Sequence, residues 1–564
     1  MTNSFLRTVT RSVFRILLVS MVAGMTGCGQ PGASSTTNTD EGLSVLNKDS
    51  LAAHIQVLAS DSFQGRRPFT IGETRTVDYL SKSFAALGLE PGNGSGYTQD
   101  VPMVEISPAG VPTMKIQGPK GSFDLRSMND FVIWTERPDT SIAIDKNDIV
   151  FAGFGIVAPE YNWNDYAGLD VKGKTVLVMV NDPGYYDSTL FKGHTMTYYG
   201  RWTYKYEEAA RQGAAACLII HNTGAASYPF QVVQSSNGGV KLHLDTRGNS
   251  GYQLALQGWI TEETGKKLLS AAGRDSSLLT AAKQKGFKPR ALDIRLTAAL
   301  KVKEVYNKSH NVIAKITGSK RPDEYVIYSA HWDHLGIGQP DEKGDSIYNG
   351  AADNASGTAA LLEIARAFKS LPEKPERTVI FLAVTAEEQG LLGSAYYAQH
   401  PVYPLARTVA NLNIDVLNTY GPTRDITYSG KGQSGLEDLL ADEAKAKGRY
   451  VAPEDHPEAG HYFRSDHFNF ARAGVPSLTA DGGVDDVSKG KEYGKQKHDE
   501  YTAQHYHQPS DEYDAKTWDL SGGLQDVGLV YLIGKKLAFG NSWPQWKAGS
   551  EFKAIRDKSA QERK

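Results

Sequence analysis

The fold class of this 564-residue chain is best indicated by the stretch Tyr325-Val-Ile-Tyr-Ser-Ala-His331-Trp-Asp333-His334-Leu-Gly336. Its mostly apolar beginning predicts a buried strand, and the strand stops at a cluster of His and Asp side chains. Two further runs of this kind follow, Thr378–Val384 and Asn411–Ile414, with helical patterns near 355–370 and 389–400. Strands that alternate with helices predict an α/β domain.

Upstream of this domain the pattern of apolar and turn-forming residues changes. Residues 105–294 contain short β-like runs such as Thr175–Val180, separated by turn clusters, and these predict a β-rich inserted domain. A helical pattern also precedes the insert. We therefore assign 49–104 and 295–545 to one discontinuous α/β domain. The charged C-terminal segment, 546–564, predicts a frayed tail.

Composition excludes several classes of protein. The chain has 61 Lys+Arg and 64 Asp+Glu, a net charge of −3. A nucleic-acid binder normally carries a basic surplus, so no nucleic-acid partner is expected. The two cysteines, Cys28 and Cys217, exclude a disulfide framework. Cys217 lies in an apolar run and is predicted to be an inert buried thiol.

The first thirty residues predict an export signal. Three arginines precede an apolar run that is shorter than the about 20 residues of a membrane span. Met25-Thr26-Gly27-Cys28 then resembles the bacterial lipobox. This resemblance predicts a lipoprotein signal peptide over 1–27, a lipid anchor at Cys28 and a flexible tether over 28–48. Gly29 rather than Asp follows the Cys, so by resemblance to Gram-negative lipoproteins we expect the outer membrane, on its periplasmic face.

Imidazole and carboxylate groups recur at strand ends and in nearby loops of the α/β domain. A lone Asp at a strand end is usually a cap, and a Glu pair is usually a solvated helix start. The carboxyl ends of parallel strands meet at one edge of a sheet, however, so groups far apart in sequence can converge. Imidazole and carboxylate without thiolate suit a divalent ion of the zinc type. The residues are His331, Asp333, Asp353, Glu387, Glu388, Asp415 and His507.

Together these motifs resemble the M28 family of zinc exopeptidases, which includes bacterial aminopeptidases and glutamate carboxypeptidases. The resemblance covers most of Ser50–Phe539 and implies a mixed central sheet flanked by helices. It also identifies the insert as similar to a protease-associated (PA) domain. The motifs that carry it are His331-Trp-Asp333, Asp353-Asn354, Glu387-Glu388, Asp415 and Tyr506-His507-Gln-Pro-Ser-Asp511.

The resemblance implies two Zn²⁺ per chain, bridged by Asp353. One ion would be held by His331 and Asp415. The other would be held by Glu388 and His507. Two dications that share a carboxylate lower the pKa of a water between them.

Further roles are implied by the same resemblance. Glu387 would be the general base. Asp333 would fix the tautomer of the His331 imidazole, and Tyr506 would donate a hydrogen bond to the developing oxyanion. The family also places a cis peptide after the bridging Asp, so we expect one at Asp353-Asn354.

Other side chains compete for these roles. His334 and His467 are expected to be caps or partners of ligands, because the ligand set is already complete. His505 lies in the polar segment 489–505, which predicts a loop, and lacks the flanking motif of His507. Arg66 lies in a turn and is expected to cap carboxylates structurally.

The sequence therefore predicts an exported, lipid-anchored dizinc exopeptidase that acts on peptides, in the first place an aminopeptidase. A glutamate-releasing carboxypeptidase is the first alternative, and a PA-domain arginine in the cleft, such as Arg201 or Arg211, would favour it. A glutaminyl cyclase-like enzyme or a non-catalytic peptide-binding protein is less favoured, because Glu387 and five ligands are present. The insert is expected to flank the cleft without contributing a ligand. The oligomeric state stays undetermined.

Overall fold

The computed structural model describes residues 40–248 and 252–563. The predicted signal peptide (1–27) and the predicted lipidation site at Cys28 lie outside these residues. Within them, no helix combines the length and the hydrophobicity that a membrane span requires.

The described chain alternates strands and helices over its whole length. The strands are β1 (Glu90–Pro91), β2 (Thr98–Pro108), β3 (Thr113–Gly118), β4 (Gly121–Leu125), β5 (Phe131–Trp134), β6 (Ser141–Phe151), β7 (Val157–Ala158), β8 (Trp163–Asn164), β9 (Thr175–Met179), β10 (Ala216–Ile220), β11 (Lys241–Leu244), β12 (Leu256–Ile260), β13 (Arg290–Ile316), β14 (Arg321–His331), β15 (Gly336–Ile337), β16 (Ile347–Tyr348), β17 (Arg377–Val384), β18 (Thr408–Asn413), β19 (Asp425–Tyr428), β20 (Tyr450–Val451) and β21 (Ser477–Gly482). The helices are α1 (Lys48–Leu58), α2 (Ile71–Ala86), α3 (Trp202–Arg211), α4 (Thr223–Ala226), α5 (Phe230–Asn237), α6 (Glu262–Ala271), α7 (Ser277–Ala282), α8 (Gly357–Lys369), α9 (Leu392–Gln399), α10 (Leu436–Ala446), α11 (His467–Arg472), α12 (Lys491–Gln504), α13 (Ser521–Phe539) and α14 (Lys553–Ala560).

A mixed sheet forms the centre of the predicted α/β domain. Its order is β1-β13-β17-β14-β18-β21-β19-β20, and β17, β14, β18 and β21 run parallel to one another. All eight residues of β17 are buried, as in a strand that is covered on both faces. On one face Phe381 packs against Phe368 of α8, and on the other Ile380 and Leu382 belong to a core with Tyr397 of α9. The prediction of a mixed sheet flanked by helices is confirmed.

One long strand, β13, joins this sheet to the sheet of the insert. Its C-terminal part pairs with β2 and β17, whereas its N-terminal part pairs with β3 and β6. The second sheet has the order β4-β3-β13-β6-β9-β10-β12-β5. The sequence boundaries proposed at 104/105 and 294/295 therefore fall inside β2 and β13, not in linkers.

Two segments predicted to lack regular structure are helical. The polar segment 489–505 contains α12, of which only Gly494 is buried, so no apolar stripe marks it in the sequence. The prediction of a frayed tail was wrong as well. Trp546, Phe552 and Arg556 are at most 3% exposed, and Arg556 lies within the helix α14. A few large side chains dock this segment, which its average composition does not reveal.

Candidate functional site

Three adjacent parallel strands bring candidate ligands to one edge of the central sheet. His331 is the last residue of β14, Glu387 and Glu388 lie in the turn after β17, and Asp415 lies two residues after β18. Since β14 pairs with both β17 and β18, the three carboxyl ends are neighbours.

The other two candidate ligands come from loops that are tied to each other. Asp353 precedes α8, and the expected cis peptide to Asn354 is present. His507 follows α12 with a left-handed φ of 58°. The carboxylate of Asp511 accepts hydrogen bonds from the backbone N–H groups of Ala352 and Asp353, at 3.0 and 3.1 Å. Asp511 thus holds the loop of Asp353 against the loop that carries His507.

His331 lies between two carboxylates. Its Nε2 is 3.1 Å from Asp353 Oδ1 and 3.1 Å from Asp415 Oδ1. Its Nδ1 faces the carbonyl of Asp333 at 3.1 Å, which leaves Nε2 for a ligand role. The second oxygen of Asp415 accepts a hydrogen bond of 2.5 Å from Ser465 Oγ.

A second imidazole approaches Asp353 from the other side. His507 Nε2 lies 3.3 Å from Asp353 Oδ2 and 3.1 Å from Glu388 Oε2. Asp353 therefore stands between two imidazoles and offers one oxygen to each. His334, expected to be a cap or a partner of a ligand, is buried with Nδ1 2.6 Å from Glu388 Oε1. His334 and His507 thus contact different oxygens of the Glu388 carboxylate.

These donor atoms fit divalent ions. Two groups in the described chain could each hold one ion, His331 with Asp353 and Asp415, and His334 with Asp353 and Glu388. Ligand atoms of a tetrahedral ion with bonds of ~2.0–2.1 Å stand ~3.3 Å apart, close to the distances found here. Buried carboxylates so near one another also require compensating positive charge.

Asp333 takes a different position from the expected one. Its Oδ1 lies 3.8 Å from His331 Nδ1, which is too far for a hydrogen bond. The carboxylate instead accepts the backbone N–H of Glu387 at 3.0 Å. The ring orientation of His331 is set by the Asp333 carbonyl, while the Asp333 carboxylate orients the turn of the candidate base.

Glu387 lies among the charged groups of the centre. Its side chain makes no hydrogen bond within the residues that the structure describes. Burial raises the pKa of Glu387 well above its usual value. The neighbouring carboxylates of Asp415 and Glu388 add to this rise, and His331 opposes it. A carboxylate with an elevated pKa is suited to accept a proton near neutral pH.

Tyr506 borders the same centre. Its ring stacks on the imidazole of His507 with 3.9 Å between centroids, and the residue is 45% exposed. Desolvation of the hydroxyl and the carboxylates of Asp353 and Glu388 raise its pKa well above the usual value. The phenol therefore stays protonated and can donate a hydrogen bond.

Arg66 is a residue whose role sequence reasoning missed. It is 1% exposed and pairs with carbonyl groups, not with carboxylates. Its guanidinium cross-links the loop after β14 to the loop before α8, the two loops that carry the first and the bridging candidate ligands. Nothing in the local sequence distinguishes this arginine from a turn residue. It donates to the carbonyls of Trp332 (2.8 Å), Leu58 (2.8 Å), Asn349 (2.6 Å) and Gly350 (2.8 Å).

Two further guanidinium groups belong to this region, and the charge of Glu387 acts on the first of them, Arg201. Arg201 comes from the insert, and burial lowers its pKa to about 10, with Arg464 adding to the effect and Glu387 opposing it. Burial also lowers the pKa of Arg464. In the described part of the chain neither forms an ion pair, and the Nε of each is buried without a hydrogen bond. Arg211, the other candidate arginine of the insert, instead pairs with Glu208 at 2.8 Å.

Comparison with known proteins finds a family model that matches part of the chain. Residues 311–532 match the model of Peptidase family M28. Aminopeptidase NAALADL1 of Rattus norvegicus is 38% identical over 142 residues, 23% of this chain and 17% of that protein. Aminopeptidase YwaD of Bacillus subtilis (strain 168) is 29% identical over 277 residues, 47% of this chain and 45% of that protein.

A fungal relative and a solved structure complete the comparison. A probable zinc metalloprotease of Pyrenophora teres f. teres is 39% identical over 106 residues, 19% of this chain and 22% of that protein. The solved structure of an aminopeptidase from Aneurinibacillus sp. strain AM-1 aligns with a TM-score of 0.49 and 21% identity, over 90% of this chain and 97% of that chain. This chain spans less than half the length of each of these three curated relatives.

We predict that Arg66→Met destabilises the chain and loosens the candidate centre. Each buried carbonyl left without a partner costs ~1–3 kcal/mol, so the free energy of unfolding should fall by at least ~3 kcal/mol. Urea denaturation and zinc content per chain measure the two effects. Arg67→Met is the control, because its ion pair with Glu105 is partly exposed and contributes at most ~1 kcal/mol. Equal effects of the two variants would contradict the assigned role of Arg66.

Proposed function

We propose that this chain, whose residues 311–532 belong to peptidase family M28, is a zinc-dependent exopeptidase that acts as an aminopeptidase. The position of Asp353 between two imidazoles, with Glu387 alongside, carries the proposal. The names of the curated relatives, aminopeptidase and probable zinc metalloprotease, support it.

The candidate ligands divide into two groups that share one carboxylate. His331 and Asp415 would hold one ion, His507 and Glu388 would hold the second, and Asp353 would bridge them. Zinc bound there would supply Lewis acidity and lower the pKa of water. The proposed number is therefore two ions per chain.

The remaining residues provide the proton transfer and the orientation. Glu387 would accept the proton of the attacking water and return it to the leaving amine. The backbone N–H of Glu387 donates to the Asp333 carboxylate, which fixes the position from which the Glu387 side chain extends. Tyr506 would donate a hydrogen bond to the oxyanion that develops on the scissile carbonyl.

Contact between the insert and the catalytic turn supports action at chain ends. The backbone N–H of Leu242, in β11 of the insert, donates to Gln389 Oε1 at 3.2 Å. Gln389 follows Glu388 directly. Arg201 adds a second group of the insert near Glu387. A wall beside the catalytic residues would admit a chain terminus and hinder an internal peptide bond.

Glu387→Gln is expected to abolish turnover without releasing the metal. Loss of a general base typically costs ~10²–10⁴-fold in rate, whereas the ligand variant Asp353→Asn should lower zinc content too. The measurements are hydrolysis of aminoacyl anilides and metal analysis of the same samples. Glu492→Gln, on the exposed surface of α12, is the matched control. Near wild-type kcat in Glu387→Gln would contradict the proposal.

A glutamate-releasing carboxypeptidase is the second candidate, and one observation favours it. The charge of Arg464 helps to lower the pKa of Arg201. Neither guanidinium has a carboxylate partner among the described residues. Two half-buried cations of this kind would be stabilised by an anionic group of the substrate. A free C-terminal carboxylate is such a group.

Arg201→Met separates the two candidates. If a C-terminal carboxylate binds there, kcat/KM on N-blocked dipeptides should fall ~10–100-fold, because hydrogen bonds to charged groups are worth ~1.5–3 kcal/mol. Aminoacyl anilides, which lack that carboxylate, should be affected far less. Arg211→Met is the control, because Arg211 is engaged by Glu208. Wild-type protein that does not cleave N-blocked dipeptides would eliminate the second candidate.

We further propose that the protein is exported and anchored in the bacterial outer membrane by a lipid on Cys28. The sequence Met25-Thr26-Gly27-Cys28 supports this placement. Labelled fatty acid should be incorporated into the wild type and not into Cys28→Ser. A mature protein without lipid, or one released without detergent, would contradict the anchor.

A further inference from the structure

The inserted domain contains a cavity that the proposed peptidase chemistry does not use. The cavity has a volume of about 360 Å³, within the range of sites for small molecules. It opens between the β2–β13 ribbon and β5, and the residues after α5 and the start of β11 complete its wall.

The body of the cavity is apolar. Six buried apolar side chains lie in its wall. At the rim stand Val111, which is 81% exposed, and Met128, which is 36% exposed. Exposed apolar residues beside an apolar cavity favour an apolar occupant. The six wall residues are Ile106, Val132, Ile133, Trp134, Leu300 and Val302.

One end of the cavity is positive. Lys241 is the only charged side chain in the lining, which contains no Asp or Glu. Its Nζ donates to Asn237 Oδ1 at 3.1 Å and forms no ion pair in the described part of the chain. Burial and the charge of Arg201 lower the pKa of Lys241, whereas the charge of Glu136 raises it. An ammonium group at the end of an apolar cavity favours an anionic head group.

His243 provides a second polar group at the same end. The residue is 8% exposed, and its ring makes no hydrogen bond to any residue that the structure describes. The closest acidic group, Glu136 Oε1, stands 3.7 Å from Nδ1, and that side chain is 40% exposed. Burial, with the charge of Lys241, lowers the pKa of His243 to about 3, so the ring is neutral. An imidazole beside the cavity that makes no hydrogen bond to the described residues is a position for a ligand atom.

We infer that this cavity binds a small amphiphilic carboxylate, with the carboxylate at Lys241 and His243 and the apolar body against Trp134 and its neighbours. The ligand has no ammonium group, because Lys241 would repel it. Two sources supply this chemistry, the apolar C-terminal residue of a peptide and a free aliphatic carboxylic acid. The inference does not depend on the proposed peptidase activity, since no candidate metal ligand lines the cavity.

Calorimetric titration of the full chain tests the inference. The probes are N-acetylphenylalanine, its uncharged amide, and hexanoate. We expect one saturable site per chain for the acids and at least ~10-fold weaker binding of the amide. Tighter binding of hexanoate would assign the site to free acids, and tighter binding of N-acetylphenylalanine would assign it to peptide ends. Equal affinity of acid and amide, or no saturation, would overturn the inference.

Variants of the lining residues test whether the acids bind in this cavity. Lys241→Met should reduce the affinity of the acids to that of the amide, while Lys172→Met, at an exposed position of the insert, should change nothing. If Lys241→Met does not fold, Val111→Glu tests the same point from the exposed rim. Its added charge should weaken the acids ~2–5-fold relative to Val111→Gln. Binding that is lost in Arg464→Met but kept in Lys241→Met would place the acid elsewhere and overturn the inference.

Discussion

Several carboxylates lie close together at the carboxyl edge of β17, β14 and β18, and the surrounding structure has to stabilise their negative charge. Carboxylates that are buried together repel one another and resist ionisation unless positive charge is close. The chain supplies imidazoles and one buried guanidinium, that of Arg66, and the remaining deficit is what bound cations would offset. The acidic groups are Asp333, Asp353, Glu387, Glu388 and Asp415.

The strand β13 connects that centre to the insert. Because its 27 residues belong to two sheets, the insert is joined to the α/β domain by paired backbone and not by a linker. Cross-domain contacts then fix the approach, such as the hydrogen bond from Leu242 to Gln389 and the ion pair between Arg472 and Glu207 at 3.1 Å. The insert can therefore place Arg201 near Glu387 without contributing a candidate metal ligand.

Sequence patterns were most informative where local chemistry and strand ends coincide. Strands β14 and β17 have apolar runs that stop at His331 and before Glu387, so both the strands and the groups at their ends could be predicted. The polar helix α12 and the docked C-terminal segment could not, because neither has an apolar stripe of helical period. Asp333 was assigned a partner by analogy, and the structure shows that backbone geometry gives His331 the carbonyl instead of the carboxylate.

The α/β class, a strand-rich insert and a set of candidate metal ligands could be predicted from the sequence, because residue type and strand spacing are local properties. Tertiary structure was needed to show which nitrogen faces which oxygen, that His334 and His507 contact different oxygens of Glu388, and that Arg66 joins two loops through their carbonyls. These relations join segments tens to hundreds of residues apart. They depend on strand order and loop path, and no local pattern encodes them.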